Sequence, residues 1–147
     1  MATSNAATTY LEHAVLDFIF KNNSESFTTP GDSIYIGLAT AVSDPEAGTV
    51  TEVNTTTEDA NYARQQVTAA NWTLASVATD AQTVTNAANI EYSASSGISS
   101  YTVTHVFIAD ASTSGNILFI GALDANKTIA SGDIFRINAG NLTVELK

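Results

Sequence analysis

The chain has 147 residues, 44% of them hydrophobic and 14% charged, with 15 acidic against 5 basic side chains, a net charge of −10 and no cysteine. That length suits one domain with a core of its own, and the lack of cysteine excludes disulfides, zinc–thiolate sites and thiol catalysis. Lys21, Arg64, Lys127, Arg136 and Lys147 are scattered along the chain, so it has no cationic cluster for phosphates or anionic lipid, and neither nucleic acid nor a membrane is expected as a partner.

Met1-Ala2-Thr3-Ser4-Asn5 lacks the basic region and apolar core of a signal peptide, and no apolar run approaches the roughly 20 residues that span a bilayer. Residues 1–9 read as an N-terminal arm. Next, Tyr10, Leu11, Ala14, Val15, Phe18 and Ile19 recur at helical spacing, which predicts a helix over residues 10–22. Asn5, Thr8 or Thr9 could cap its start, and Lys21 sits at the negative end of the helix dipole. Leu16 and Phe20 widen the stripe, so the expectation is a helix packed along most of its length, either covering the core or docking a neighbouring subunit.

The turn Thr29-Pro30-Gly31-Asp32 precedes a buried strand over Ser33–Thr40. From Ala41 to Asn61 the chain is polar and acidic and reads as a long loop, with room for a short strand at Thr49–Val53. Short strands follow at Tyr62–Thr68, Asn71–Ala75, Gln82–Val84 and Ile90–Ser93, with a flexible linker at Ser95–Ser100. The last third reads as Thr102–Asp110, Asn116–Leu123 and Asp133–Leu146, the third broken at Gly140. Strict alternation in the first puts Val103, His105 and Phe107 on one face and Thr104, Val106 and Ile108 on the other. Turns are expected at Ser114-Gly115-Asn116, Asp124-Ala125-Asn126-Lys127 and Ser131-Gly132-Asp133. The fold class expected is mainly β: a single-domain antiparallel β-sandwich or partly open barrel over residues 33–147, with one N-terminal α-helix.

The order of several segments resembles a family of small tailed-bacteriophage virion structural proteins, labelled tail-fibre or head-decoration proteins. The segments are Ile34-Tyr35-Ile36-Gly37-Leu38-Ala39-Thr40, Tyr62-Ala63-Arg64-Gln65, Asn86-Ala87-Ala88-Asn89-Ile90 and Val103–Asp110, then Gly121-Ala122-Leu123, Ser131-Gly132-Asp133 and Ala139–Val144. The resemblance implies a non-enzymatic virion protein with no catalytic residues to carry over. The compact acidic chain, without a repetitive shaft, favours a capsid decoration (cement) protein. It would fold in the host cytoplasm and sit on the outer surface of the head as a homo-oligomer, a trimer by expectation. There it would stabilise the shell by binding the major capsid protein across capsomers. The alternative is a tail-fibre or tail-tip module that recognises host-surface glycans.

Seven residues are candidates for partner contact: Asn5 in the arm, Asp44, Glu46, Glu58 and Asp59 in the acidic loop, Arg64 and Trp72. Arg64 could pair with Glu58, Asp59 or a partner's carboxylate, through a planar fork that favours fixed geometry, or be an ordinary strand-edge ion pair. Trp72, Tyr10, Tyr62 and Tyr101 could line a sugar-binding surface or simply pack. The acidic residues lack the spacing of a calcium-binding loop, and no carboxylate pattern accompanies His13 or His105 at metal spacing. No cofactor, metal or catalytic group is expected.

Overall fold

The strand at residues 101–109 sets the architecture. Its sequence, Tyr-Thr-Val-Thr-His-Val-Phe-Ile-Ala, is rich in β-branched and aromatic residues on both sides, as a central strand requires. In the computed structural model, which describes residues 6–21, 34–74 and 82–146, this strand lies between two long neighbours. The elements in chain order are β1 (Ala6–Ala7), α1 (Thr9–Lys21), β2 (Tyr35–Asp44), β3 (Thr49–Glu52), β4 (Gln65–Gln66), β5 (Trp72–Leu74), β6 (Gln82–Asn86), β7 (Ile90–Glu91), β8 (Tyr101–Ala109), β9 (Ile117–Ile129), β10 (Arg136–Ile137) and β11 (Thr143–Leu146). The main sheet runs β1-β9-β8-β2-β3, with β4 also paired to β2. Two smaller sheets, β10-β7 and β11-β6-β5, accompany it among the described residues. All pairings are antiparallel, and the main sheet curls into a half-barrel. The expected mainly-β fold with one N-terminal helix is present, in its partly open barrel form.

Alternation divides the main sheet into two apolar sets. Ile36 and Leu38 of β2 join Val106 and Ile108 of β8 in the larger cluster, with Tyr92, Phe135 and Ile137 from beyond the sheet. Ala39, Phe107, Ala109 and Ile120 form a smaller cluster from the intervening positions. Val103 belongs with Val106 and Ile108, not with Phe107 as strict alternation predicts. The cause is a bulge. Val103 pairs with Lys127 but His105 pairs with Ala122, so Leu123–Asn126 stand against Thr104 alone. The turn expected at Asp124–Lys127 is this bulge. Its Asp and Asn residues interrupt the ladder, and Thr128 and Ile129 restore it opposite Thr102 and Tyr101.

The long loop expected over Ala41–Asn61 is largely a hairpin. β2 continues to Asp44 and β3 returns along it, with Val42 opposite Val50. The turn between them closes through Gly48 N–H to the Pro45 carbonyl, 3.1 Å. Of the expected arm, residues 6–9 are fastened: Ala6 and Ala7 pair with Ile120 and Phe119. Thr8 is 1% exposed. Its hydroxyl donates to the Ile117 carbonyl at 2.5 Å and accepts from Leu11 N–H at 3.4 Å, so it caps α1. Residues 1–5 and the Pro30–Gly31 turn lie outside the described residues.

Helix α1 departs from expectation in its packing. It rests on β9, but Leu11 and Ala14 are its only buried residues. Val15, Leu16, Phe18, Ile19 and Phe20 are 37%, 56%, 55%, 62% and 76% exposed. Among the described residues no helix is long and apolar enough to cross a membrane.

Candidate interaction surfaces

Arg64 enters on the chain that leads into β4 and has a side chain only 7% exposed. Its fork meets both oxygens of Glu52 on β3: Nε to Oε1 at 2.9 Å and Nη2 to Oε2 at 2.8 Å. Its Nη1 donates to the carbonyls of Ala111 (2.9 Å) and Ser114 (2.8 Å) in the β8–β9 turn. The guanidinium also lies over the Phe107 ring, 5.0 Å from its centroid. One side chain thus ties β3, β8 and the following turn together. The hydrogen bonds to Glu52 raise the Arg64 pKa above its ordinary value, so the charge is permanent. The predicted partners Glu58 and Asp59 are replaced by Glu52, twelve residues upstream.

Tyr62 extends this node. Its hydroxyl donates to Glu52 Oε1 at 2.7 Å and accepts from Leu38 N–H at 2.9 Å. Burial, then the Glu52 charge, drives its pKa well above the usual phenol value. Its ring stacks on Tyr92 with centroids 6.1 Å apart, and Tyr92 donates to the Ile36 carbonyl at 2.8 Å. Tyr62 is thus half-buried against the larger apolar cluster, with its hydroxyl bonded within the chain.

Asp59 is 2% exposed, not a solvated loop residue. It accepts from Ser96 N–H (2.9 Å), Asn61 N–H (3.0 Å) and the Tyr101 hydroxyl (2.9 Å). Burial alone would raise its pKa, but the bonds from Ser96, Asn61 and Tyr101 outweigh it and hold the carboxyl below its ordinary value. Tyr101 is buried in turn, and burial together with Asp59 raises its pKa. Glu58 accepts from Asn54 N–H at 2.7 Å and closes the 54–58 turn. Asp44 accepts from Ala47 N–H at 3.1 Å. The Glu46 backbone carbonyl accepts from Thr9 N–H at 2.8 Å, and its side chain is exposed.

Trp72, on β5, packs against the larger apolar cluster and points its indole N–H at the Val67 carbonyl, 3.4 Å away. Asn5 lies outside the described residues. Asp59 and Arg64 hold the chain's own loops, Asp44 and Glu58 close turns, and Trp72 is half-buried. His105 pairs its Nδ1 with the Thr104 hydroxyl at 2.8 Å, and burial lowers its pKa. Among the described residues no group of His, Asp and Glu converges as metal ligands.

Asn86, which the sequence marks only as part of the Asn86–Ile90 segment, has a structural role. At 1% exposure it donates to the carbonyls of Ala88 (2.8 Å) and Asn138 (2.9 Å) and accepts from Leu142 N–H (2.9 Å). It thereby clamps the turn between β10 and β11. The signal in the sequence was its place in Asn-Ala-Ala-Asn, a polar residue at the end of a strand where turn carbonyls need donors.

Among the described residues, two concave surfaces stand out. A groove of about 510 Å³ opens on the half-barrel between Phe119–Asp124 of β9 and Asn141–Glu145, with Ala6 and Ala7 at one end. A second depression, about 440 Å³, lies over the Arg64–Glu52 pair between Asn54–Thr56 and Ser112–Ser114. Neither presents an activated nucleophile.

No curated protein sequence matches the chain. A family model described as "Podophage GP4 fiber I protein gp80" matches residues 6–145, which includes the sheet, the Arg64 node and the Asn86 clamp. By that match the chain belongs to the Podophage GP4 fiber I protein gp80 family and is a phage virion structural protein.

Proposed function

We propose that the chain is a non-enzymatic structural module of the phage tail-fibre apparatus. The observation that carries this reading is the family match over residues 6–145, whose description names a fibre protein. The chemistry of the fold supports it. The buried polar side chains Thr8, Asp59 and Asn86 are spent on holding turns and strands, and Arg64 joins three elements. Such groups make a stiff scaffold, and none of these four is poised for proton transfer or attack on a substrate. Because Trp72 packs inward, the proposed role is architectural rather than glycan-binding.

Immunogold electron microscopy of the source virion with antibody against this chain tests the placement. Label on the tail fibres is the expected result. Label over the head would overturn it in favour of a capsid decoration role, with the major capsid protein as partner. A glycan array that lit up with the wild type and went dark with Trp72→Ala would overturn the purely architectural reading.

A further inference from the structure

Two short strands turn an outer edge toward the groove of the half-barrel. Asn86 N–H donates to the Leu142 carbonyl, and the next rung sets Thr85 opposite Thr143. In an antiparallel ladder hydrogen-bonded and non-hydrogen-bonded pairs alternate, so the N–H and C=O of Thr143 point away from β6. The same holds on β1. Thr8 N–H donates to the Leu118 carbonyl and the next rung sets Ala7 opposite Phe119, so the N–H and C=O of Ala7 point away from β9. Thr143 and Ala7 both line the groove, and β11 is the margin of its sheet among the described residues.

Between these edges the groove is apolar within and acidic at its rim. Val106 and Ile108 of β8, Phe119 and Leu123 of β9, and Leu142 and Val144 belong to the larger apolar cluster or pack against it. Asp124 and Glu145 are the charged groups among the described lining residues; both are exposed and no cation accompanies them. We propose that the groove receives an extended, cationic segment of another virion protein, added as a strand to the outer edge of β11. Main-chain bonds to Thr143 hold the segment, and its alternate apolar side chains enter the groove. A Lys or Arg beside them meets Asp124 and Glu145 and sets the choice of partner. With four residues in β11, the paired stretch spans about 13 Å. A second copy of this chain is a poor donor. Of its five basic residues, Arg64 and Arg136 already pair with Glu52 and Glu91, and at a net charge of −10 copies repel one another. The proposal rests on the chain being a virion component, not on its place in the particle.

Titration of the ¹⁵N-labelled full chain with the peptide acetyl-Lys-Val-Thr-Val-Thr-Val-Lys-amide tests this. The peptide should bind, shift the resonances of Leu142–Val144 and slow hydrogen exchange at Thr143 N–H. The same peptide with Glu in place of both Lys should bind about tenfold more weakly or worse, and added salt should narrow the difference. Thr143→Pro removes an N–H that β6 does not use, and proline is tolerated on such an edge. That variant should keep a cooperative melt and lose about tenfold or more in affinity. Asp124→Lys/Glu145→Lys, at two exposed positions, should reverse the preference between the peptides, and carries the test if the proline variant does not fold. Absence of binding, equal binding of the two peptides, or affinity unchanged in both variants would overturn the proposal. So would a Thr143 N–H already protected in the free chain, which would mean that the edge is covered from within the chain or by a second copy.

Discussion

Gly37 and Phe107 stand directly opposite each other on β2 and β8, and the Phe107 ring fills the space where a side chain at position 37 would be. A β-carbon built on Gly37 would lie 2.1 Å from the ring. Phe107 is fully buried and carries the Arg64 guanidinium, so it has nowhere to move. The glycine is thus a packing requirement. Gly37→Ala should cost about 1–3 kcal/mol through overpacking, a fall in Tm of about 3–10 °C. Thermal and urea unfolding of the variant check this; an unchanged midpoint would show that the ring is free to shift.

Removing Arg64 should be more costly still. Arg64→Met leaves Glu52 half-buried without its cation and strips donors from Ala111 and Ser114, at about 2–4 kcal/mol. Arg64→Lys should recover little, because an ammonium cannot bridge two carboxylate oxygens and two carbonyls at once. In a double-mutant cycle with Glu52→Gln, the combined loss should be smaller than the sum of the single losses. Strict additivity would mean that the pair is not coupled.

Asn86→Ala should destabilise by about 2–4 kcal/mol, the loss of three side-chain hydrogen bonds at a buried site. The local signature is sharper than the global one. Leu142 N–H donates to the Asn86 side chain, so its hydrogen exchange should accelerate beyond what the fall in stability explains. Protection of Leu142 that merely follows the global change would place the clamp elsewhere.

Stability should fall at both ends of the pH range. Burial lowers the His105 pKa from 6.5. Its contribution is full above pH 6.5 and is lost as pH drops through the folded-state value, because the unfolded chain takes up the proton first. Asp59 adds a second loss below its ordinary value of 3.8. At the alkaline end, Tyr62, Tyr92 and Tyr101 have pKa values raised from 10.0, by burial first of all. The unfolded chain therefore ionises first above pH 10 and the fold weakens there. Tm measured against pH, with His105→Gln flattening the first acidic step, tests the assignment. Tyrosinate absorbance should show these three side chains ionising only as the protein unfolds.

Much of the sheet was legible because β2 and β8 are dense in β-branched and aromatic residues, and because Ser114-Gly115-Asn116 is a strong turn signal. Ser114 and Gly115 do take positive φ there. What alternation could not foretell was the bulge at Leu123–Asn126. Asp and Asn mark a break in the ladder, but only the partner strand decides whether the chain turns or resumes. The Arg64 node was half legible. The residue stood out as a lone cation, but its choice of Glu52 over Glu58 and Asp59 depends on the β2–β3 hairpin, a long-range pairing hidden in a polar stretch. Asp59 reads as a contact residue of an acidic loop; Ser96 and Tyr101, which bond it within the chain, lie about 40 residues away. The helix period was plain in the sequence, yet periodicity says nothing of which apolar side chains the chain itself will cover.

The groove of the half-barrel has a mechanical consequence. Ala6 and Ala7 line one end of it, and Thr143–Glu145 form one wall. Traction applied at residues 6 and 146 would first load β1 and β11, strands of two and four residues at the margins of their sheets. These short margins would carry the load before β8 and β2, which lie inside the main sheet. Under tension the molecule would yield at its ends before its centre, lengthening slightly while the Arg64–Phe107–Gly37 stack stayed intact.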